Sequence, residues 1–191
     1  MAARILVFAG SSRTGSFNKK LAAQAAAAAR AAGADVTHVD LRDFPMPLYD
    51  GDLEASQGIP EHAMRMKALF LAHDGLLLAC PEYNTSITGL LKNTIDWVSR
   101  SAPGETTLQC FDGKIASLVS ASPGALGGLR GLVHVRAILG GIGVFVLPTQ
   151  LAVSRANDAF DEAGRLKDAK QQATLDKIAK QLVTTVTKLR G

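Results

Sequence analysis

Cysteine is scarce in this chain of 191 residues: Cys80 and Cys110 are the only two, far apart and outside any Cys-x-x-Cys pair. That excludes a disulfide framework and a thiolate zinc site, so both side chains are expected to be buried, reduced packing residues. The four histidines, His38, His62, His73 and His134, have no metal-ligand spacing, and no metal is expected. Aromatic residues make up 5% of the chain, and its lysines and arginines form no basic run with interleaved aromatics. A net charge of +4 and a pI near 9.2 therefore describe scattered surface charge rather than a nucleic-acid interface. The positive field still favours small anions such as nucleotide phosphates. No uncharged apolar run exceeds strand length, and Met1-Ala2-Ala3-Arg4 leads straight into Ile5 to Ala9 without a signal-peptide pattern. A cytoplasmic protein with no membrane partner is expected. Walker A, GxGxxG and GxSxG motifs are missing as well, which removes P-loop, Rossmann dinucleotide and serine-hydrolase chemistry.

What is present is an alternation of short apolar runs with longer helical stretches, in a chain that is 47% hydrophobic. Strands are expected at Arg4 to Ala9, Val36 to Leu41, Gly75 to Cys80, Ile115 to Ala121 and Val144 to Leu147. The runs are continuous enough in apolar residues to be buried on both faces. Between them lie an Ala-rich helix from Asn18 to Ala32 that stops at Gly33, a Pro-rich loop from Asp43 to Pro60, and a helix near Glu61 to Ala72. Leu91, Ile95 and Val98 recur at helical spacing, another helix runs through Ile138, and Leu175, Ile178, Leu182, Val186 and Leu189 mark one face of a last helix. A βα unit repeated five times implies an α/β fold: a doubly wound five-stranded parallel sheet with helices on both faces, in the flavodoxin-like order. The length fits a single domain over residues 1–191.

In such a sheet, ligands bind beyond the carboxyl ends of the strands, where the winding direction changes between the first and third strands. After the first strand comes Gly10-Ser11-Ser12-Arg13-Thr14-Gly15-Ser16-Phe17-Asn18, rich in N–H, hydroxyl and guanidinium donors at a helix N-terminus. These are the groups a phosphate monoester needs, although a Ser/Thr-rich turn with Ser16 as helix cap would look the same. After the third strand comes Pro81-Glu82-Tyr83-Asn84-Thr85-Ser86-Ile87-Thr88-Gly89, a polar loop with an aromatic, suited to a flat heterocycle.

Together the Gly-Ser-x-Arg-x-x-Ser-x-Asn loop, Pro81-Glu82-Tyr83-Asn84, Leu91-Lys92-Asn93-Thr94-Ile95-Asp96-Trp97 and Ser120-Ala121-Ser122-Pro123-Gly124 resemble the NADPH-dependent FMN reductase family. That family includes flavin, quinone, chromate and azo-dye reductases. The resemblance implies that Ser11, Arg13, Ser16, Phe17 and Asn18 surround the phosphate and ribityl chain of FMN. Pro81, Glu82, Tyr83 and Asn84 would run along the isoalloxazine, with backbone N–H groups tuning the ring, and Ser120 and Ser122 are further candidates. The sequence departs from the family pattern at Ser12, where leucine is common, at Thr85, where tyrosine is common, and at Thr88, where proline is common.

The function implied is an NAD(P)H oxidoreductase. A reduced nicotinamide, NADPH or NADH, passes hydride through FMN to a flavin, quinone or other small-molecule electron acceptor that then takes the same face, giving ping-pong kinetics. No catalytic side chain is required. The alternatives are a flavodoxin-type electron carrier, which the basic charge and Arg13 argue against, and a non-catalytic FMN-binding regulatory protein. The apolar segment Phe44-Pro45-Met46-Pro47-Leu48-Tyr49-Asp50 resembles a family segment that approaches a neighbouring subunit's flavin, and implies a homodimer or homotetramer.

Overall fold

A computed structural model describes residues 2–190. Arg4–Ala9 (β1), Asp35–Val39 (β2), Gly75–Ala79 (β3) and Ile115–Ala121 (β6) lie parallel, with β2 and β3 on either side of β1 and β6 beyond β3. The order matches the flavodoxin-like expectation. Successive residues of β1 serve opposite faces, as the pleat requires. Ile5, Val7 and Ala9 pack toward Phe17–Ala31 (α1) and Ala169–Arg190 (α7), while Leu6 and Phe8 pack toward Glu61–Ala72 (α3), Gly89–Val98 (α4) and Leu129–Gly141 (α5). The alanine run explains how α1 sits so close to the sheet: Ala22, Ala25, Ala26 and Ala29 are all fully buried. Leu175, Ile178, Leu182 and Val186 of α7 are buried as their spacing predicts, but Leu189 is 70% exposed at the helix end.

Four details differ from the sequence reading. The fifth sheet position is shared by two short strands, Phe145–Val146 (β7) and Leu151–Val153 (β8), which both pair with β6. Pro148 lies between them and has no N–H for the ladder, so the strand is broken there. Next, β2 ends before Leu41, because the Asp40 carboxylate accepts the Arg42 N–H at 2.9 Å and opens a single turn at Leu41–Asp43. The Pro-rich stretch contains a seven-residue helix, Gly51–Gln57 (α2), capped by Asp50 through the N–H groups of Asp52 and Leu53. Finally, the segment after β3 is a tight hairpin, Glu82–Tyr83 (β4) and Ser86–Ile87 (β5), turned by Asn84 and Thr85 at φ 49° and 68°. Both central residues have positive φ, as a two-residue hairpin turn favours, and Thr85 holds a conformation costly for a branched side chain.

Candidate active site

The loop between β1 and α1 begins at Gly10, where side chains leave no room. A Cβ there would stand 2.9 Å from the Leu91 Cβ and 3.2 Å from the Pro81 Cδ, so only glycine lets this backbone pass under the third-strand loop. The Thr88 hydroxyl donates to the Gly10 carbonyl at 2.8 Å and accepts the Leu91 N–H at 3.2 Å, capping α4 and joining the two loops. Threonine thus supplies a tether that the more usual proline could not.

Beyond Gly10, the loop opens a cavity of about 90 Å³ lined by Ser11, Arg13, Ser16, Phe17 and Asn18 on one side. Pro81, Glu82 and Tyr83 line another side, and Ala121, Ser122 and Pro123 the third. All the residues singled out from the sequence therefore meet at one place except Asn84 and Ser120. Asn84 is spent in the hairpin turn. Ser120 is fully buried behind the hairpin, its hydroxyl without a partner, where a Cβ on Gly128 would meet it at 2.0 Å.

Several features fit the cavity to an anion. Ser16 is the N-cap of α1, yet its hydroxyl makes no cap bond, and the first turn of the helix has no acidic residue. Among the described residues, the N–H groups of Thr14, Gly15, Phe17 and Asn18 meet no protein acceptor, so the positive end of a 15-residue helix faces the cavity with its donors free. The Arg13 guanidinium rests 5.6 Å over the Phe17 ring, which stacks on Phe160 at 6.2 Å. Negative charge is kept away. Glu82 lines the cavity, but its carboxylate accepts the Gly131 N–H at 3.0 Å and the Arg130 Nε–H at 2.9 Å, closing the N-terminus of α5 instead. Burial opposes its ionisation, and these donors outweigh burial and hold Glu82 below the usual carboxylate range. Asn18 serves the fold as well as the cavity. Its amide donates to the Ala121 carbonyl at 2.7 Å and accepts the Ala121 N–H at 3.0 Å, fixing the end of β6 to α1.

A larger cavity, about 460 Å³, lies at the ends of β1 and β2, lined in part by Lys19, His38, Asp40, Asp43, Phe44 and Arg65. Its lining mixes the Asp40 and Asp43 carboxylates with Lys19 and Arg65, whereas in the smaller cavity the one carboxylate, Glu82, is already held by the start of α5. Burial raises the pKa of both Cys80 and Cys110, which leaves neither as a nucleophile at neutral pH. Among the described residues, no helix is long and apolar enough to cross a membrane.

Asn93 and Trp97 of α4 hold the Pro-rich loop. The Trp97 Nε1–H and the Asn93 amide both donate to the Pro47 carbonyl at 2.8 Å, and Asn93 accepts the Tyr49 N–H at 2.8 Å. Tyr49 packs edge-on against Trp97 at 5.0 Å and donates to Glu54 at 3.0 Å. The loop is thus folded onto its own α4, and Leu48, 80% exposed, is its one strongly exposed apolar side chain.

The parallel sheet order with a donor-rich cavity at its switch point defines a flavodoxin-like α/β protein. The family model described as NADPH-dependent FMN reductase matches residues 3–158, and the chain belongs to that family. It is 38% identical over 189 residues to an NAD(P)H-dependent FMN reductase of Pseudomonas aeruginosa, covering 98% of this chain and 97% of the relative. With a quinone reductase of Escherichia coli it shares 32% over 181 residues, 94% of this chain and 91% of the relative. Its fold superposes with a TM-score of 0.82 on FerB, a flavoenzyme NAD(P)H:(acceptor) oxidoreductase from Paracoccus denitrificans, at 27% identity and 97% and 98% coverage.

Proposed function

We propose that the chain is an FMN-dependent NAD(P)H oxidoreductase that reduces flavins, quinones or similar small acceptors. The single observation that carries the site assignment is the open N-terminus of α1, with the Ser16 hydroxyl unused, beside Arg13 and Ser11. These residues would hold the FMN phosphate. The seat is far below the roughly 300–1,000 Å³ of a complete small-molecule pocket, so it fits one end of a ligand. The ring system is left to the open ground beside Pro81, Glu82 and Tyr83, and Tyr83, 59% exposed, offers a stacking surface there. When bound, FMN supplies the ring that accepts and returns hydride. The chain's own work is to bind, to orient and to leave that ground open.

Donor and acceptor would use the same exposed face of the flavin in turn. Initial rates with NADPH or NADH and a quinone should give parallel double-reciprocal lines, and intersecting lines would show both substrates bound together. The absence of a separate dinucleotide motif leaves NADPH or NADH as donor. We place the enzyme in the cytoplasm, in keeping with two free buried thiols. A homodimer or homotetramer now rests on Leu48 and on Leu126, Leu129 and Val133 near the start of α5, all exposed, rather than on the whole Pro-rich loop.

A further inference from the structure

The phosphate-type loop is exposed from Ser12 to Gly15, yet one of its carbonyls is held by an unusual concentration of charge. The Ser12 carbonyl accepts from the Lys19 Nζ at 3.3 Å, from the Arg42 Nε at 3.1 Å, and from the Arg42 Nη2 as well. The same Nη2 donates to the Thr14 hydroxyl at 2.9 Å. Asp40 braces the pair from behind: one carboxylate oxygen accepts the Lys19 Nζ at 2.6 Å and the other accepts the backbone N–H of Arg42 at 2.9 Å, fixing the turn that carries the guanidinium. The bracing group comes from the end of β2 and the turn after it, an element that contributes nothing to the lining of the phosphate seat.

We propose that Arg42, braced by Asp40 and assisted by Lys19, is a positioning residue that keeps the phosphate loop in its binding form; this rests on the FMN reading above. An anion seat needs N–H groups turned in and carbonyls turned out, because a carbonyl oxygen facing a phosphate repels it. In a trans peptide the C=O and the following N–H point opposite ways. Holding the Ser12 carbonyl outward therefore turns the Arg13 N–H inward, where it donates to the Ser11 hydroxyl at 3.3 Å on the cavity wall. Two further carbonyls of the loop's start are likewise occupied, that of buried Gly10 by Thr88 and that of Arg13 by the Ser16 N–H. Arg42 itself spends its donors on Ser12 and Thr14 and does not line the phosphate seat. Its contribution is preorganisation, which lowers the ordering cost at the moment of binding.

The test measures FMN and riboflavin affinity by fluorescence quenching for the wild type, Arg42→Ala, Arg42→Lys and Thr14→Val, at low and high salt, together with the thermal midpoint of each flavin-free protein. Loss of one exposed carbonyl latch should weaken FMN about three- to tenfold in Arg42→Ala. Riboflavin, which has no phosphate, should change less than about twofold on the same scale. Arg42→Lys should recover part of the loss, Thr14→Val should lose a smaller part, and the flavin-free midpoint should stay with the wild type. The salt dependence of FMN binding should keep its slope, because no phosphate contact is removed. Equal losses for both flavins, no loss at all, a midpoint that falls with them, or a shallower salt slope would each overturn the latch. If the wild type takes up no FMN, the proposed function fails on its own. The latch is then judged by amide relaxation of Arg13 and Thr14 in the flavin-free protein, which should show order that Arg42→Ala removes; unchanged relaxation would overturn it.

Discussion

Arg13→Ala separates a phosphate ligand from a solvated turn residue. In the structure its guanidinium makes no ion pair among the described residues and lies over Phe17 at the edge of the seat, so its charge is free for a ligand. A hydrogen bond to a charged group contributes about 1.5–3 kcal/mol, or roughly ten- to 150-fold in affinity. Ser12 to Gly15 are exposed, and screening by solvent and salt takes the expected value to the lower end, about ten- to thirtyfold for FMN. Riboflavin serves as the control, since it keeps the ring and ribityl chain without the phosphate. Titrating both flavins against both proteins completes a double cycle whose coupling term isolates the side chain and the phosphate. Raising the salt should shrink that coupling. Equal weakening of the two flavins would refute the reasoning, and would mean that Arg13 acts by shaping the loop.

Two further outcomes follow from groups outside the seat. Glu105 accepts the buried Lys67 ammonium at 2.7 Å, and that bond, against the opposing effect of burial, holds its carboxyl below the usual range. Glu105→Gln leaves the Lys67 ammonium with only uncharged partners, among them the Val98 and Arg100 carbonyls and the Cys110 Sγ, and should cost about 3 kcal/mol by urea unfolding, the low end for breaking a buried pair. A depressed folded pKa gives stability that is fully present above the ordinary carboxylate pKa and is lost as the pH falls from there through the lower folded value, so wild type and variant should converge in strong acid; a gap that persists undiminished below the folded value would contradict the pairing. Ser120→Ala removes a buried hydroxyl without a partner, so stability should hold or rise by up to about 1 kcal/mol and FMN affinity should not change. A several-fold loss of FMN would return Ser120 to the site.

Much of the fold was legible because the runs that build it are long and periodic. Arg4–Ala9, Ile115–Ala121 and Glu61–Ala72 fall where apolar continuity and helical spacing put them. What escaped was decided by single groups. Asp50 starts a helix too short to show periodicity and with no buried side chain, and Pro148 splits a strand whose second half is only three residues. Residue types and their order picked out three segments that the structure brings together at one cavity, because the winding of the sheet fixes which strand ends meet. Side-chain direction was not legible. Glu82 and Asn18 line the cavity, but one caps α5 and the other ties down β6, since the nearest unsatisfied backbone groups claimed them. The latch on Ser12 could not be read at all, because Arg42 lies on a different strand end and meets the loop only through the parallel pairing of β1 with β2.

Carrying FMN and exchanging hydride with a nicotinamide are the two properties on which everything else rests. They are tested most directly by titrating flavin-free protein with FMN, following the visible flavin bands, and then adding NADPH or NADH without oxygen. Uptake of one FMN per chain is expected, with bleaching of the bands by the nicotinamide and return of colour when a quinone is added. A protein that takes up no FMN, or one whose bound FMN stays oxidised with both nicotinamides, would contradict that reading.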